Sequence, residues 1–156
     1  MKMVAPLEIG ICCEDLDSLA RFYTDVLGCT FVNAVDVPPE KSREAGLTDA
    51  GYRVARIQTP YGERLKLLQP GRQPARPDAS GEFLSRRGAF YITFIVDDLG
   101  AMLKRLTAAG VEVCTGPERV EVRPGTYLAF ARDPEGNVLE FVEYADVKAY
   151  RPDLAG

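Results

Sequence analysis

The chain has 156 residues, 46% apolar and 27% charged, ordinary values for a soluble globular protein with material for one core or two small modules. Its formal charge of −4 speaks against nucleic acid as a partner. It contains no histidine, which removes the commonest metal ligand and any Ser-His-Asp or Cys-His device.

In chain order, residues 7–13 read as a strand, with Ile9, Ile11 and Cys13 on one face and Glu8, Gly10 and Cys12 on the other. Asp15 is a good N-cap for a helix reaching Leu27. Leu16, Leu19, Ala20, Tyr23, Val26 and Leu27 form its apolar stripe, and Gly28 ends it. Residues 29–32 read as a second strand. Residues 34–50 are polar and broken by Pro38-Pro39 and Gly46, so a surface loop is expected, with one helical turn over Pro39–Glu44. Strands follow at Tyr52–Gln58 and Arg64–Gln69, separated by the turn Thr59-Pro60-Tyr61-Gly62. Residues 70–88 read as a linker, with Arg72, Arg76, Arg86 and Arg87 solvated.

A second round opens with the apolar run 90–96. Asp98 caps a helix striped by Leu99, Met102, Leu103 and Leu106, which Gly110 ends. The next strand is expected at Val111–Cys114, and residues 145–156 as a surface tail. Between them, Tyr127–Ala131 and Val138–Val142 flank Asp133-Pro134-Glu135-Gly136-Asn137, a tight turn that makes them a hairpin. Glu140 sits in its second strand among apolar neighbours.

The two rounds repeat. Glu8 and Asp15 correspond to Tyr91 and Asp98 at a separation of 83, and Pro60-Tyr61-Gly62 corresponds to Pro134-Glu135-Gly136 at 74. This gives a first module over 1–69, a linker over 70–88, a second module over 89–144 and a tail over 145–156. If Ile9 and Ile11 pack on the helix, Glu8, Gly10 and Cys12 face away from it, as do Tyr91, Thr93 and Ile95. Pairing Ala129 opposite Glu140 places Tyr127, Ala129 and Ala131 on that face too. The repeat maps Glu140 onto Lys66, and Arg53, Ala55 and Ile57 then join Lys66. A register slip of one residue would exchange every member of such a set.

Four cysteines, Cys12, Cys13, Cys29 and Cys114, have no C-x-x-C spacing. With no export signal and no membrane-length apolar run in the sequence, they are expected to be reduced thiols in a cytoplasmic protein.

The Asp133–Asn137 turn, the Glu-bearing strand after it, and the duplicated βαβββ pattern over residues 7–144 resemble the vicinal oxygen chelate superfamily. That family includes glyoxalase I, methylmalonyl-CoA epimerase, extradiol dioxygenases, fosfomycin-resistance transferases and bleomycin-resistance proteins. The resemblance implies an α+β fold, with two βαβββ modules curling a sheet around a cleft and helices outside. It also implies a homodimer. In the family's metalloenzymes, four positions from the first and last strands of both modules converge on an ion. They fall here on Glu8, Lys66, Tyr91 and Glu140. An ammonium is no ligand and brings its own positive charge, so no metal and no other cofactor is expected.

Two functional classes follow from the resemblance. One is a metal-independent protein of the bleomycin-resistance kind that binds a small organic molecule, anionic or oxygen-rich. Its ligand would meet Lys66, Arg53, Tyr91, Tyr127, Thr93 and Cys12. The other is a lyase or isomerase of the glyoxalase or epimerase kind, with Glu140 or Glu8 as base, or with an atypical divalent ion. Against both stands a structural reading, in which Glu8, Lys66 and Glu140 form an ion network holding the modules together. Tyr127 has two readings of its own, ligand wall or sheet cover. A remnant whose cleft serves only dimerisation completes the set.

Overall fold

A computed structural model describes residues 1–76, 83–85 and 87–154, which fall into two compact units, Met1–Ala79 and Ser80–Gly156. Residues 77–82 and Arg86 of the expected linker, and residues 155–156 of the tail, lie outside the described residues.

Unit one consists of β1 (Glu8–Cys12), α1 (Leu16–Arg21), β2 (Thr30–Val37), α2 (Pro39–Glu44), β3 (Tyr52–Gln58) and β4 (Arg64–Pro70). The sheet order is β1-β4-β3-β2, with β1 parallel to β4 and the other pairs antiparallel. Asp15 caps α1 by accepting the Ser18 amide at 2.9 Å. Leu16, Leu19, Ala20, Phe22 and Tyr23 are buried, and α1 lies on β3 and β4 over Ala55, Ile57, Leu65 and Leu67. Each fully buried leucine or isoleucine here contributes about 2 kcal/mol of transfer free energy. The last turn of the expected helix widens to π geometry over Phe22–Val26, where the Leu27 amide donates to the Phe22 carbonyl five residues back at 3.2 Å.

The helical turn at Pro39–Glu44 forms as the sequence indicates, with Pro39 in the first turn. The loop expected from Ala34 does not. β2 continues to Val37 by pairing with β3, Val35 opposite Val54 and Asp36 opposite Arg53, with a bulge between Phe31 and Asn33. As the edge of its sheet, β2 is held by backbone bonds to β3, and the Pro38-Pro39 break and polar stretch that follow hid its last residues.

Unit two contains β5 (Tyr91–Ile95), α3 (Leu99–Ala108), β6 (Val120–Arg123), β7 (Thr126–Arg132), β8 (Val138–Tyr144) and a short α4 (Val147–Tyr150). The sheet order is β5-β8-β7-β6, again with the first strand parallel to the last. Leu99, Leu103 and Leu106 of α3 are buried, as are Ala129, Ala131, Leu139 and Phe141 of the sheet beneath. The strand expected at Val111–Cys114 is reduced to a single bridge, Val113 to Ala131. The edge strand is Val120–Arg123 instead, because Pro124-Gly125, with Gly125 at φ 73, turns the chain directly back into β7. The described part of the tail lies on the surface and holds a short helix. Asp146 caps α4 through the Ala149 amide at 2.9 Å, and Tyr150 stacks on Tyr144 with ring centroids 3.8 Å apart.

The repeat extends to a detail that sequence reasoning missed. In unit one the Gln69 Oε1 accepts the Leu16 amide at 3.3 Å, and in unit two the Glu143 Oε2 accepts the Leu99 amide at 2.8 Å. Each last strand therefore ties down the start of its own unit's helix. Among the described residues, no helix is long and apolar enough to cross a membrane.

Candidate functional site

Each sheet has one face covered by its helix and one open face, and the open faces differ in chemistry. In unit one, Glu8, Gly10 and Cys12 of β1 pair with Arg64, Lys66 and Leu68 of β4, and Lys66 pairs with Arg56 of β3. Side chains of paired residues share a face. The Glu8 carboxylate lies 3.5 Å from the Lys66 ammonium and 3.9 Å from the Arg64 guanidinium. Arg64 also donates to Gln58 Oε1 at 3.1 Å, and Arg56 donates to Asn33 Oδ1 at 3.0 Å. Three cations against one carboxylate leave this face with an excess of positive charge. Cys12 is exposed on the same face, and no disulfide joins the four cysteines. Cys29 is away from it, and burial pushes its thiol up to about 11.

In unit two, Thr93 pairs with Glu140, and its hydroxyl donates to Glu140 Oε2 at 2.6 Å. The residue opposite Glu140 on β7 is Phe130. The Tyr91 ring meets the Phe130 ring edge-to-face at 5.3 Å and lies 6.1 Å from the Phe83 ring. Tyr144 is on this face as well. Its phenol is pushed up to about 12, by burial first, then by its hydrogen bond to Tyr150, with the Glu140 charge acting in the same direction.

This geometry corrects two expectations, both from one register step. Arg53 does not lie beside Lys66. It pairs with Gln69 and Asp36 on the helix-covered face, where its guanidinium is 3.6 Å from Asp17 of α1. There it lines an open crevice of about 530 Å³ with Asp36, Tyr52, Gln69 and Pro70. Tyr127 does not lie beside Glu140. It pairs with Glu143 on the helix-covered face, under the Arg119 guanidinium 3.9 Å from its ring centroid. Tyr127 therefore covers the sheet. Arg56 and Phe130 take the places assigned to Arg53 and Tyr127. The missed signal was in the alternation: Ala55 and Ile57, like Ala129 and Ala131, are the small and apolar members that a helix-covered face requires, and all four are buried.

The donor sets can be tested against a divalent ion unit by unit. In unit one, Lys66 and Arg64 occupy the surroundings of Glu8 with positive charge. In unit two, Glu140 is a lone carboxylate beside a hydroxyl and a phenol. Neither set fits an ion that wants several carboxylate, imidazole or thiolate donors around an open position. No group of three or more such residues is gathered among the described residues.

Duplicated βαβββ units, each with a helix on one sheet face and an open polar or aromatic face on the other, define an α+β protein of the paired-module class. The chain belongs to the Glyoxalase/Bleomycin resistance protein/Dioxygenase superfamily, whose family model matches residues 5–141. It is 30% identical over 137 residues to a lactoylglutathione lyase of Haemophilus influenzae, a match spanning 86% of this chain and 89% of that one. A glyoxalase family protein from Bacillus cereus has a similar structure, with a TM-score of 0.77 and 25% identity over 94% of this chain and 97% of its own. The glyoxalase I of Leishmania major shares the fold at a TM-score of 0.63 and 20% identity, covering 95% of this chain and 91% of that one.

Proposed function

We propose that the protein binds a small organic molecule, anionic or oxygen-rich, without a metal ion, and that Lys66 anchors it with Arg64. The observation that most supports this reading is the Glu8–Lys66 pair at 3.5 Å. The resemblance makes Glu8 and Lys66 two of the family's ligand positions, and an ammonium paired with the carboxylate would take the place of an ion there. One carboxylate cannot saturate Lys66 and Arg64, so N–H donors remain to meet a carboxylate or phosphate. Cys12 and Leu68 would border the ligand. A thermal-shift screen of carboxylates, phosphates and phenols tests the proposal. At least one should stabilise the wild type and lose most of its effect in Lys66→Met; ligands unaffected by that change would sink it.

A second reading has support from the kinship with a lactoylglutathione lyase, together with the hydrogen bond that orients Glu140. Glu140, or Glu8, would move a proton next to a carbonyl, as a glyoxalase or epimerase requires. Lactoylglutathione formation by protein stripped of metal, abolished in Glu140→Gln, would favour it over simple binding. We further propose a homodimer in a reducing, cytoplasmic setting. The edge strands β2 and β6 expose Phe31, Val35 and Val122, and the cysteines are unbridged. Light scattering on the eluted protein would return a monomer mass if the dimer is wrong.

A further inference from the structure

The open face of unit two is built differently from that of unit one, around aromatic rings. Its charged centre is a single carboxylate, Glu140, held by the Thr93 hydroxyl at 2.6 Å. Among the described residues, no lysine or arginine lies within ion-pair distance of Glu140. Around it stand aromatic rings: Phe130 directly across the strand pair, Tyr91 edge-to-face with Phe130, and Phe83 beyond Tyr91. Tyr91 is 42% exposed, so its side chain is accessible from solvent.

We propose that Glu140, Tyr91 and Phe130 form a subsite for a small organic cation, an alkylammonium or quaternary ammonium group. Ring faces carry negative quadrupole potential and attract such a cation within about 6 Å. A carboxylate beside them supplies the net charge that rings lack. An inorganic anion is repelled by Glu140, and a strongly hydrated metal ion gains little from the rings. A weakly hydrated ammonium bearing alkyl groups fits both parts. The same unit already stacks cations on its other tyrosines: Arg119 lies 3.9 Å from the Tyr127 ring and Arg123 6.0 Å from the Tyr150 ring. Two arginines share this face by register, Arg123 opposite Thr126 and Arg132 opposite Val138, and each already has partners. Arg123 faces Tyr150, and Arg132 donates to the Gly136 carbonyl at 3.1 Å. The subsite draws only on residues of unit two, so it goes beyond the anion-binding reading and does not rest on it.

The test titrates the full chain with choline and with its neutral isostere, 3,3-dimethylbutan-1-ol, followed by amide chemical shifts. Choline should shift Tyr91, Thr93 and Glu140 saturably, and the neutral alcohol should bind about tenfold more weakly or worse. Glu140→Gln should weaken choline about tenfold, equivalent to about 1.4 kcal/mol, and Tyr91→Leu by severalfold. Lys66→Met should leave choline binding unchanged while removing any anion response, which separates failure of one proposal from failure of the other. If Glu140→Gln fails to fold, Tyr91→Leu and the neutral isostere still decide. Equal binding of choline and the alcohol reduces the face to an apolar patch and overturns the proposal. So does the absence of a saturable shift, or choline affinity indifferent to the substitutions.

Discussion

Replacing Lys66 by glutamate turns the attraction at the centre of unit one into a repulsion. Two unit charges 3.5 Å apart attract by about 5 kcal/mol at an effective dielectric of about 20, before desolvation and side-chain ordering are charged against them. The side chains are 37% and 34% exposed, and pairs this accessible retain about 0.5–1 kcal/mol. The reversed pair adds repulsion of similar size, softened by Arg64 at 3.9 Å. Lys66→Glu should therefore lose about 1–2 kcal/mol, a fall in Tm of roughly 3–6 °C for a chain of this length. Two carboxylates side by side are a better cation site than a carboxylate and an ammonium. Millimolar Mn²⁺ should restore part of the loss in the variant and do nothing for the wild type. At ten times the dissociation constant the recovery is about 1.4 kcal/mol. Differential scanning fluorimetry with and without Mn²⁺ reads both effects. An unchanged Tm would refute the ion pair, and a wild-type protein that takes up one transition metal per chain would refute the account of Lys66.

Asp133 is buried and accepts the Glu135 amide at 3.0 Å, the Asn137 amide at 2.9 Å and the Asn137 side-chain amide at 2.8 Å. Asp133→Ala should cost about 2–4 kcal/mol by urea unfolding, because those donors are left without their acceptor. Gly51 has φ 70, and a Cβ there would meet the Val37 carbonyl oxygen at 2.8 Å. Gly51→Ala should destabilise by about 1–3 kcal/mol, and an unaffected midpoint would show that the turn can relax. Tyr127→Leu should lower stability through loss of the Arg119 stack while leaving ligand affinity intact; a loss of affinity would restore Tyr127 to the site. Cys29 and Tyr144 both have folded pKa values raised above their unfolded ones, to about 11 and about 12. Their contributions are complete below about pH 9 and drain away as pH rises through those values, since the unfolded chain ionises first. Urea midpoints should fall between pH 9 and 11, and a flat profile would contradict the burial of the Cys29 thiol.

Most elements were legible because each had a local cause. Asp15 and Asp98 start helices whose apolar stripes recur every three or four residues, and Asp133–Asn137 can only be a turn. β3 and the α2 turn fall where the residues put them. The strands that escaped, the end of β2 and all of β6, are edges. Their side chains are largely exposed, so burial imposes no alternation, and pairing to a neighbour decides whether they are strands at all. The sheet faces were half legible for a related reason. Glu8, Lys66, Tyr91, Thr93 and Glu140 were assigned to open faces correctly, because the strands carrying them alternate clearly. Arg53 and Tyr127 were not, since the assignment assumed Ala129 opposite Glu140 instead of following the apolar members of β3 and β7.

The order of residues by itself determined the duplicated βαβββ plan and the absence of histidine. These are matters of composition, spacing and local propensity. Only the tertiary structure decided which side chains stand next to which. It set Arg56 rather than Arg53 beside Lys66, put Phe130 rather than Ala129 across from Glu140, and folded Tyr150 back onto Tyr144. Strand register is fixed by hydrogen bonds and packing between segments distant in the chain. A shift of one residue changes no local preference yet exchanges the two faces of a sheet.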